Sequence, residues 1–202
     1  HARAGRRASI IAQMNALVDV DVIDALYAAS EAGVDIRLRV RGICCLRPQI
    51  PGLSSRIQVD ATIDRFLEHA RIFRFENNDK PELYISSADW MPRNFHRRVE
   101  VMTPVLDPKV KERLEGILQT TFGDTTKSWG LCSDGRYEKK PPTDQPSRSQ
   151  QRFIESARER LKKAEREQVA PSAYYVLEVA ETEEQRKVRR AKERQKKKLR
   201  QS

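Results

Sequence analysis

Between residues 65 and 93 the sequence runs RFLEHARIFRF, a polar turn, then YISSADWMPRN, and it brings a histidine and arginines close to serines and a carboxylate. His69 and Arg71 stand ahead of one strand-like run, and Ser86, Ser87, Asp89 and Arg93 come at the end of its return. A histidine held by a carboxylate or hydroxyl beside guanidinium groups suits an anionic substrate. Guanidinium forks bind phosphate oxygens in pairs, and imidazoles exchange protons near neutral pH. The same residues also fit a structurally satisfied histidine at a strand start with ordinary surface arginines. On residue types alone, that plainer reading is the safer one.

The elements that must position these groups follow from periodicity. Residues 71–75 alternate around Ile72 and Arg74, Asn77, Asn78 and Asp79 supply turn chemistry, and residues 82–85 alternate again, which predicts an antiparallel hairpin. Pairing Phe75 with Leu83 sets Arg71 near Ser87 and His69 near Asp89, and a slip of one residue would turn each side chain to the other face. Upstream, residues 8–15 (ASIIAQMN) predict a buried strand. Asp19 or Asp21 can cap a helix with Val22, Leu26 and Ala29 at helical spacing, which Gly33 stops, and residues 34–41 predict a second strand. Strand, helix and strand make a βαβ unit, so the two strands should be parallel.

In that second strand Ile36, Leu38 and Val40 alternate with Arg37, Arg39 and Arg41, giving one apolar face and one arginine face. Sites in open α/β sheets lie beyond the carboxyl ends of strands, which makes Arg41, next to Gly42, the best-placed anion ligand. Arg37 and Arg39 read as a solvated strand face, and Cys44 and Cys45 as small buried packing.

Further along, residues 47–56 read as a loop and residues 57–59 as a short strand. Residues 97–105 alternate and predict another strand, with Arg98 and Glu100 opposite Val99 and Val101. Asp107 followed by Pro108 is an N-cap with proline at the first helical position, and Val110, Leu114 and Ile117 mark the face of a helix expected to cover the sheet. Residues 123–148 hold few apolar side chains and read as an ordered edge at best. Ser149 opens a helix with Phe153, Ile154, Ala157, Leu161 and Ala164 on one stripe. From Glu181 onward there is charge without an apolar face, which predicts a solvated helix or disorder.

Charge follows the same division. Residues 187–202 hold nine Lys and Arg against Glu193, so they carry +8 of the net +10 and leave +2 for the rest. The tail therefore implies solubility and loose attraction to polyanions, with nucleic acid bound only non-specifically. Three cysteines form no metal or disulfide spacing, and neither a membrane-length apolar run nor a signal peptide is visible. A reducing cytoplasm is expected. The chain opens on His1 and reads as the C-terminal part of something longer.

The segments MNALVD, ALYAASEAGV, RLRVRGICCLRP, PGLS, RFLEHARIF, YISSADWMPRN and RRVEV, in this order and spacing, resemble the last catalytic-type domain of bacterial polyphosphate kinase. The resemblance runs from about residue 2 to 122, continues more weakly to 158, and leaves out the basic tail. It implies an α/β, phospholipase-D-like mixed sheet flanked by helices, followed by a C-terminal helical basic extension. The expected division is residues 1–136 for that domain, 137–180 for a linker and docking helix, and 181–202 for the basic tail.

The family moves the terminal phosphoryl group of ATP reversibly onto polyphosphate through a phosphohistidine, which lies in a domain upstream of this chain. The resemblance carries phosphate-binding roles to Arg41 and His69 and a catalytic role to His69, as donor of a proton or hydrogen bond to a phosphate oxygen, with Ser87, Asp89, Arg93 and Asn94 as second-rank candidates. It implies Mg2+ accompanying ATP, although no acidic cluster here reads as a metal site. It further implies ATP or ADP, polyphosphate and the missing N-terminal part of the enzyme as partners. A homo-oligomer is expected for the full-length form, with a cytoplasmic or peripheral inner-membrane location. His96 departs from the family, which usually has an aspartate or similar residue there, and Arg37 and Arg39 replace milder residues. Two other readings remain open. One is a polyanion-binding module without catalysis. The other is a phospholipase-D-like phosphodiesterase half, disfavoured because HAR lacks the lysine two positions after the histidine.

Overall fold

Apolar side chains at every second position of the first two strands build the centre of the fold. In the computed structural model, which describes residues 1–141 and 143–166, β1 (Ala8–Met14), α1 (Val20–Glu31) and β2 (Asp35–Val40) form the expected unit. The strands are parallel, with Ser9 opposite Asp35 and Met14 opposite Val40. Asp19 caps α1 by accepting the Val22 N–H, and Gly33, at φ +96°, ends the turn after it in a conformation that glycine adopts without strain. Ile23 and Leu26 are the buried apolar residues of α1, with Val22 and Ala29 partly buried beside them.

Around this unit the chain adds β3 (Ile57–Thr62), β4 (Ile72–Asn77), β5 (Glu82–Ser86), α2 (Pro92–Arg97), β6 (Met102–Pro104), α3 (Pro108–Phe122), β7 (Ser128–Leu131), β8 (Tyr137–Lys139) and α4 (Ser149–Arg166). The strands form one mixed sheet in the order β6-β5-β4-β1-β2-β3-β7-β8. This is the α/β architecture expected, a mixed sheet with helices packed on it. One face carries the main core of Ala12, Met14, Ile36, Leu38, Val40, Ile57, Val59 and Phe73 against α1. On the other face Ile11 and Ile72 pack with Leu114, Ile117, Leu118 and Phe122 of α3. Asp107 caps α3 as predicted, but Val110 is exposed, because the apolar area on this face meets only the later turns.

Several expectations change. Residues 97–105 do not form one strand: Pro92 at the helix start turns residues 92–97 into α2, only Met102–Pro104 pairs with β5, and Val99 is fully exposed. The hairpin register is shifted by one, with Arg74 opposite Leu83 and Phe75 opposite Glu82. Its turn places Asn78 and Asp79 both at positive φ, as a tight hairpin turn requires. β4 lies between β1 and β5 and buries Ile72 on one face and Phe73 on the other, so alternation of polarity did not specify its register. Of the adjacent pair expected to be buried, Cys45 is exposed and Cys44 partly buried.

The largest correction concerns Arg39, which is 1% exposed and not solvated. Its guanidinium donates to Thr62 Oγ1 and to Ser128 Oγ and lies 5.3 Å from the centre of the Phe122 ring. β7 pairs with β3 and delivers Ser128, and α3 delivers Phe122, so the burial arises from segments distant in sequence. Arg37 stays exposed, over the same ring at 5.1 Å. The segment 123–148 forms an ordered edge of the sheet. β7 and β8 extend the sheet past residue 136, and Lys140 reaches Asp60 at 2.6 Å. Buried Asp124 accepts N–H groups from Thr126, Lys127 and Ser149, which ties the end of α3 to the start of α4.

The chain separates into two compact units, His1–Arg158 and Glu159–Ser202. The basic tail expected over residues 181–202, and the part of the 137–180 linker and docking helix beyond Arg166, lie outside the described residues. No helix among the described residues is long and apolar enough to cross a membrane. Truncating a buried, hydrogen-bonded arginine removes packing and orphans its partners, so Arg39→Ala should lower the unfolding free energy by about 3 kcal/mol. Arg37→Ala, which loses only an exposed cation–π contact, should cost about 0.5–1 kcal/mol. Urea unfolding of both variants checks the difference.

Candidate functional site

The carboxyl ends of β1 and β2 bring the polar residues together. Because Met14 is opposite Val40, the next residues, Asn15 and Arg41, leave the sheet side by side. Arg41 Nε donates to Asn15 Oδ1 at 2.7 Å. Gly42 N–H donates to the Asn15 carbonyl at 2.7 Å, and a Cβ at Gly42 would stand only 3.0 Å from that oxygen, so glycine is the residue that permits this close approach. Antiparallel β4 begins beside the end of β1, with Ile72 opposite Gln13, and so delivers Arg71 and His69 to the same end of the sheet. The return strand β5 ends there too, where Ser86 N–H donates to the Arg71 carbonyl.

Asp89 is the hub. Its Oδ1 accepts the Asn15 backbone N–H at 2.8 Å and Arg71 Nε at 2.9 Å, and its Oδ2 accepts Arg71 Nη2 at 2.9 Å. Burial pushes the Asp89 carboxyl up, but the Arg71 fork and the Asn15 N–H outweigh it and hold the group below its ordinary 3.8. Arg71 in turn lies alongside the exposed His69 ring, with Nη1 3.3 Å from Nδ1 and Nη2 3.3 Å from Nε2. A neutral imidazole has one acceptor nitrogen, so at most one of these contacts is a hydrogen bond donated by Arg71. Asp89 is therefore paired with Arg71, not with His69 as the expected register had it.

Ser87 and Asn94 are joined through a residue the sequence did not single out for the site. Glu100 accepts from Ser87 Oγ with one oxygen and from Asn94 Nδ2 with the other. Those two bonds, with the nearby Arg98, hold the Glu100 carboxyl below its ordinary 4.5. The signal for Glu100 lay in RRVEV, where a lone acid in a basic segment needs a partner. Asn15 was equally overlooked, and its signal was the parallel register that sets it opposite Arg41. Arg93 is exposed on α2 and its side chain makes no hydrogen bond or ion pair among the described residues, and His96 is exposed near the end of that helix.

Chemically, the cluster divides into committed and open groups. Arg71 is occupied by Asp89, whereas Arg41 is anchored at Nε and its two terminal nitrogens meet no acceptor among the described residues. An anchored guanidinium with a free fork is suited to binding two oxygens of one phosphate. No group of three or more His, Cys, Asp or Glu side chains among the described residues could hold a metal ion. The acids at this end, Asp89 and Glu100, already serve other side chains, so the residues present do not fit a divalent cation. Cys44, raised to about 11 by burial, is not set up as a nucleophile.

A mixed α/β sheet with helices packed on it, and a guanidinium anchored just beyond the carboxyl ends of its parallel strands, defines a domain of the α/β class. Residues 1–151 match the family model for polyphosphate kinase C-terminal domain 2, and the chain belongs to that family. A polyphosphate kinase from Rhodopirellula baltica is 55% identical over 140 residues, covering 69% of this chain and 16% of the relative. One from Thermosynechococcus vestitus is 54% identical over 142 residues, covering 70% of this chain and 19% of the relative. The crystal structure of polyphosphate kinase from Porphyromonas gingivalis is similar at a TM-score of 0.75 and 41% identity, over 80% of this chain and 25% of that one. The chain thus spans less than a fifth of the length of these two curated relatives, 16% and 19%.

Removing the Asp89 charge would leave Arg71 unpaired at a half-buried position. Asp89→Asn should cost about 3 kcal/mol at neutral pH. Because the folded carboxyl lies below its ordinary 3.8, its stabilisation is fully present above the unfolded value and is lost as pH falls from there through the lower folded value. The stability gap between wild type and variant, measured by denaturant unfolding, should therefore hold steady down to about pH 5 and shrink below about pH 4.

Proposed function

We propose that this chain is the part of a polyphosphate kinase that holds phosphate groups during transfer, with Arg41 as clamp and His69 as its companion. In the reaction read here, the bond from the bridging oxygen to the terminal phosphorus of ATP breaks and the phosphoryl group passes to a histidine outside this chain. From there it passes to the terminal oxygen of a polyphosphate, and the sequence runs in both directions. Charge develops on the transferred group and on the departing ADP, and fixed guanidinium groups stabilise it without reorganising. Arg41 would bind non-bridging oxygens through its free terminal nitrogens, and His69 would hydrogen-bond a phosphate oxygen. Mg2+ would accompany ATP, held by ligands outside this chain.

The observation that carries this reading is the contrast between the two arginines. Arg71 gives Nε and Nη2 to Asp89, whereas Arg41 is bound only at Nε among the described residues. That contrast favours Arg41 as the substrate-facing cation and Arg71 as support for His69. Among the second-rank candidates, Ser87, Asp89 and Asn94 already have internal partners and would act by shaping the cleft. Arg93 has none among the described residues and would meet the anionic chain directly. ATP or ADP and polyphosphate are the substrates this reading requires, and the rest of the enzyme, as a homo-oligomer, is its partner.

The test uses the full-length parent enzyme. Arg41→Ala and His69→Ala should each lower kcat for ATP-dependent polyphosphate synthesis by about 10²–10³-fold, the loss expected when one preorganised donor to a transition-state charge is removed. Residues 1–202 alone should show no turnover. Robust synthesis by the isolated chain, or full activity of Arg41→Ala, would overturn the assignment.

A further inference from the structure

Asn15 sits where the two halves of the cluster meet, and it uses separate atoms for each. Its side-chain Oδ1 receives Arg41 Nε at 2.7 Å, while its backbone N–H goes to Asp89 Oδ1 at 2.8 Å. Its carbonyl takes the Gly42 N–H, so three neighbours fix the residue, which is 9% exposed. An arginine held at Nε loses rotation of its guanidinium plane while both terminal nitrogens stay free. Binding a planar fork to a phosphate then costs less conformational entropy than it would for an untethered side chain. A cation needs no neutral amide oxygen for solubility, and Arg41 is otherwise exposed, so the contact is not demanded by burial. Its evident effect is orientation.

We propose that Asn15 is a positioning residue that aims Arg41 at phosphate through its side chain, and that Asp89 separately positions Arg71 along His69. This rests on the reading of Arg41 as a phosphate ligand. Replacing the Asn15 side chain keeps its backbone N–H, so the Asp89–Arg71–His69 half stays in place while the Arg41 half is released.

The experiment titrates inorganic tripolyphosphate into the 202-residue chain in four forms: wild type, Asn15→Ala, Arg41→Ala and the double variant. Raised salt suppresses the contribution of the basic tail. Asn15→Ala should weaken binding about tenfold when Arg41 is present and not at all when Arg41 is already alanine, the non-additivity expected of residues acting as one unit. The 15N-edited NMR signal of Arg41 Nε–H should be protected from exchange in wild type and lose protection in Asn15→Ala, which reports release of the guanidinium, while the non-additivity of the cycle separates positioning from a merely structural role. Additive losses in the cycle, or an unaltered Nε–H signal, would overturn the positioning role and leave the reading of Arg41 standing. Binding that is unchanged in Arg41→Ala would instead sink that reading, and the purpose given to Asn15 with it.

Discussion

A carboxylate that is nearly inaccessible to water must find compensating donors, and the site is arranged around how Asp89 does so. The Asn15 backbone N–H after β1 and two N–H groups of the Arg71 fork donate to it, and the Ala16 backbone N–H also favours its charge. The same requirement holds the segment 87–91 against the β1–α1 connection. Trp90 N–H donates to the Ala16 carbonyl, its own carbonyl accepts from Val18 and Asp19, and its ring stacks on Phe73 at 5.0 Å. Asp19 then caps α1. Satisfying one buried charge thus links the parallel unit, the hairpin and the short helix α2 that follows.

The two faces of the sheet solve different problems. The α1 face is an apolar core of the ordinary kind. The α3 face encloses a cation, Arg39, whose partners are hydroxyls and an aromatic ring rather than a carboxylate at bonding distance. Burial depresses the tendency of that guanidinium to hold its proton, and the nearby acids Asp60, Glu68 and Asp124 oppose the effect. Such a charge stays in place with nearby acids at some distance and no ion pair among the described residues, and β3, α3 and β7 together shelter it. That makes the edge of the sheet from β3 to β8 part of the fold rather than an ornament on it.

The phosphate-holding role proposed above needs a rigidly held cation whose binding atoms face outward. Arg41 meets that description because its anchor uses Nε alone, and Arg71 does not because Asp89 takes its fork. Two arginines that look equivalent as residue types are separated by which nitrogens their neighbours occupy.

The sequence by itself determined the parallel βαβ unit, the caps of α1 and α3, the placement of Arg41 at a strand end and the family. Each depends on local periodicity, on a cap residue's own chemistry or on a run of motifs in order. Tertiary structure decided the rest. The register of β4 was set by burial on both faces, which erases the polar alternation that would have fixed it. Arg39 went inside because Ser128 and Phe122, far along the chain, close over it, and Glu100 joined Ser87 to Asn94 across a turn that breaks the predicted strand. Asp89 chose Arg71 over His69 because a buried carboxylate takes the two-pronged cation within reach, and that choice is made by distances in space, which residue spacing does not record.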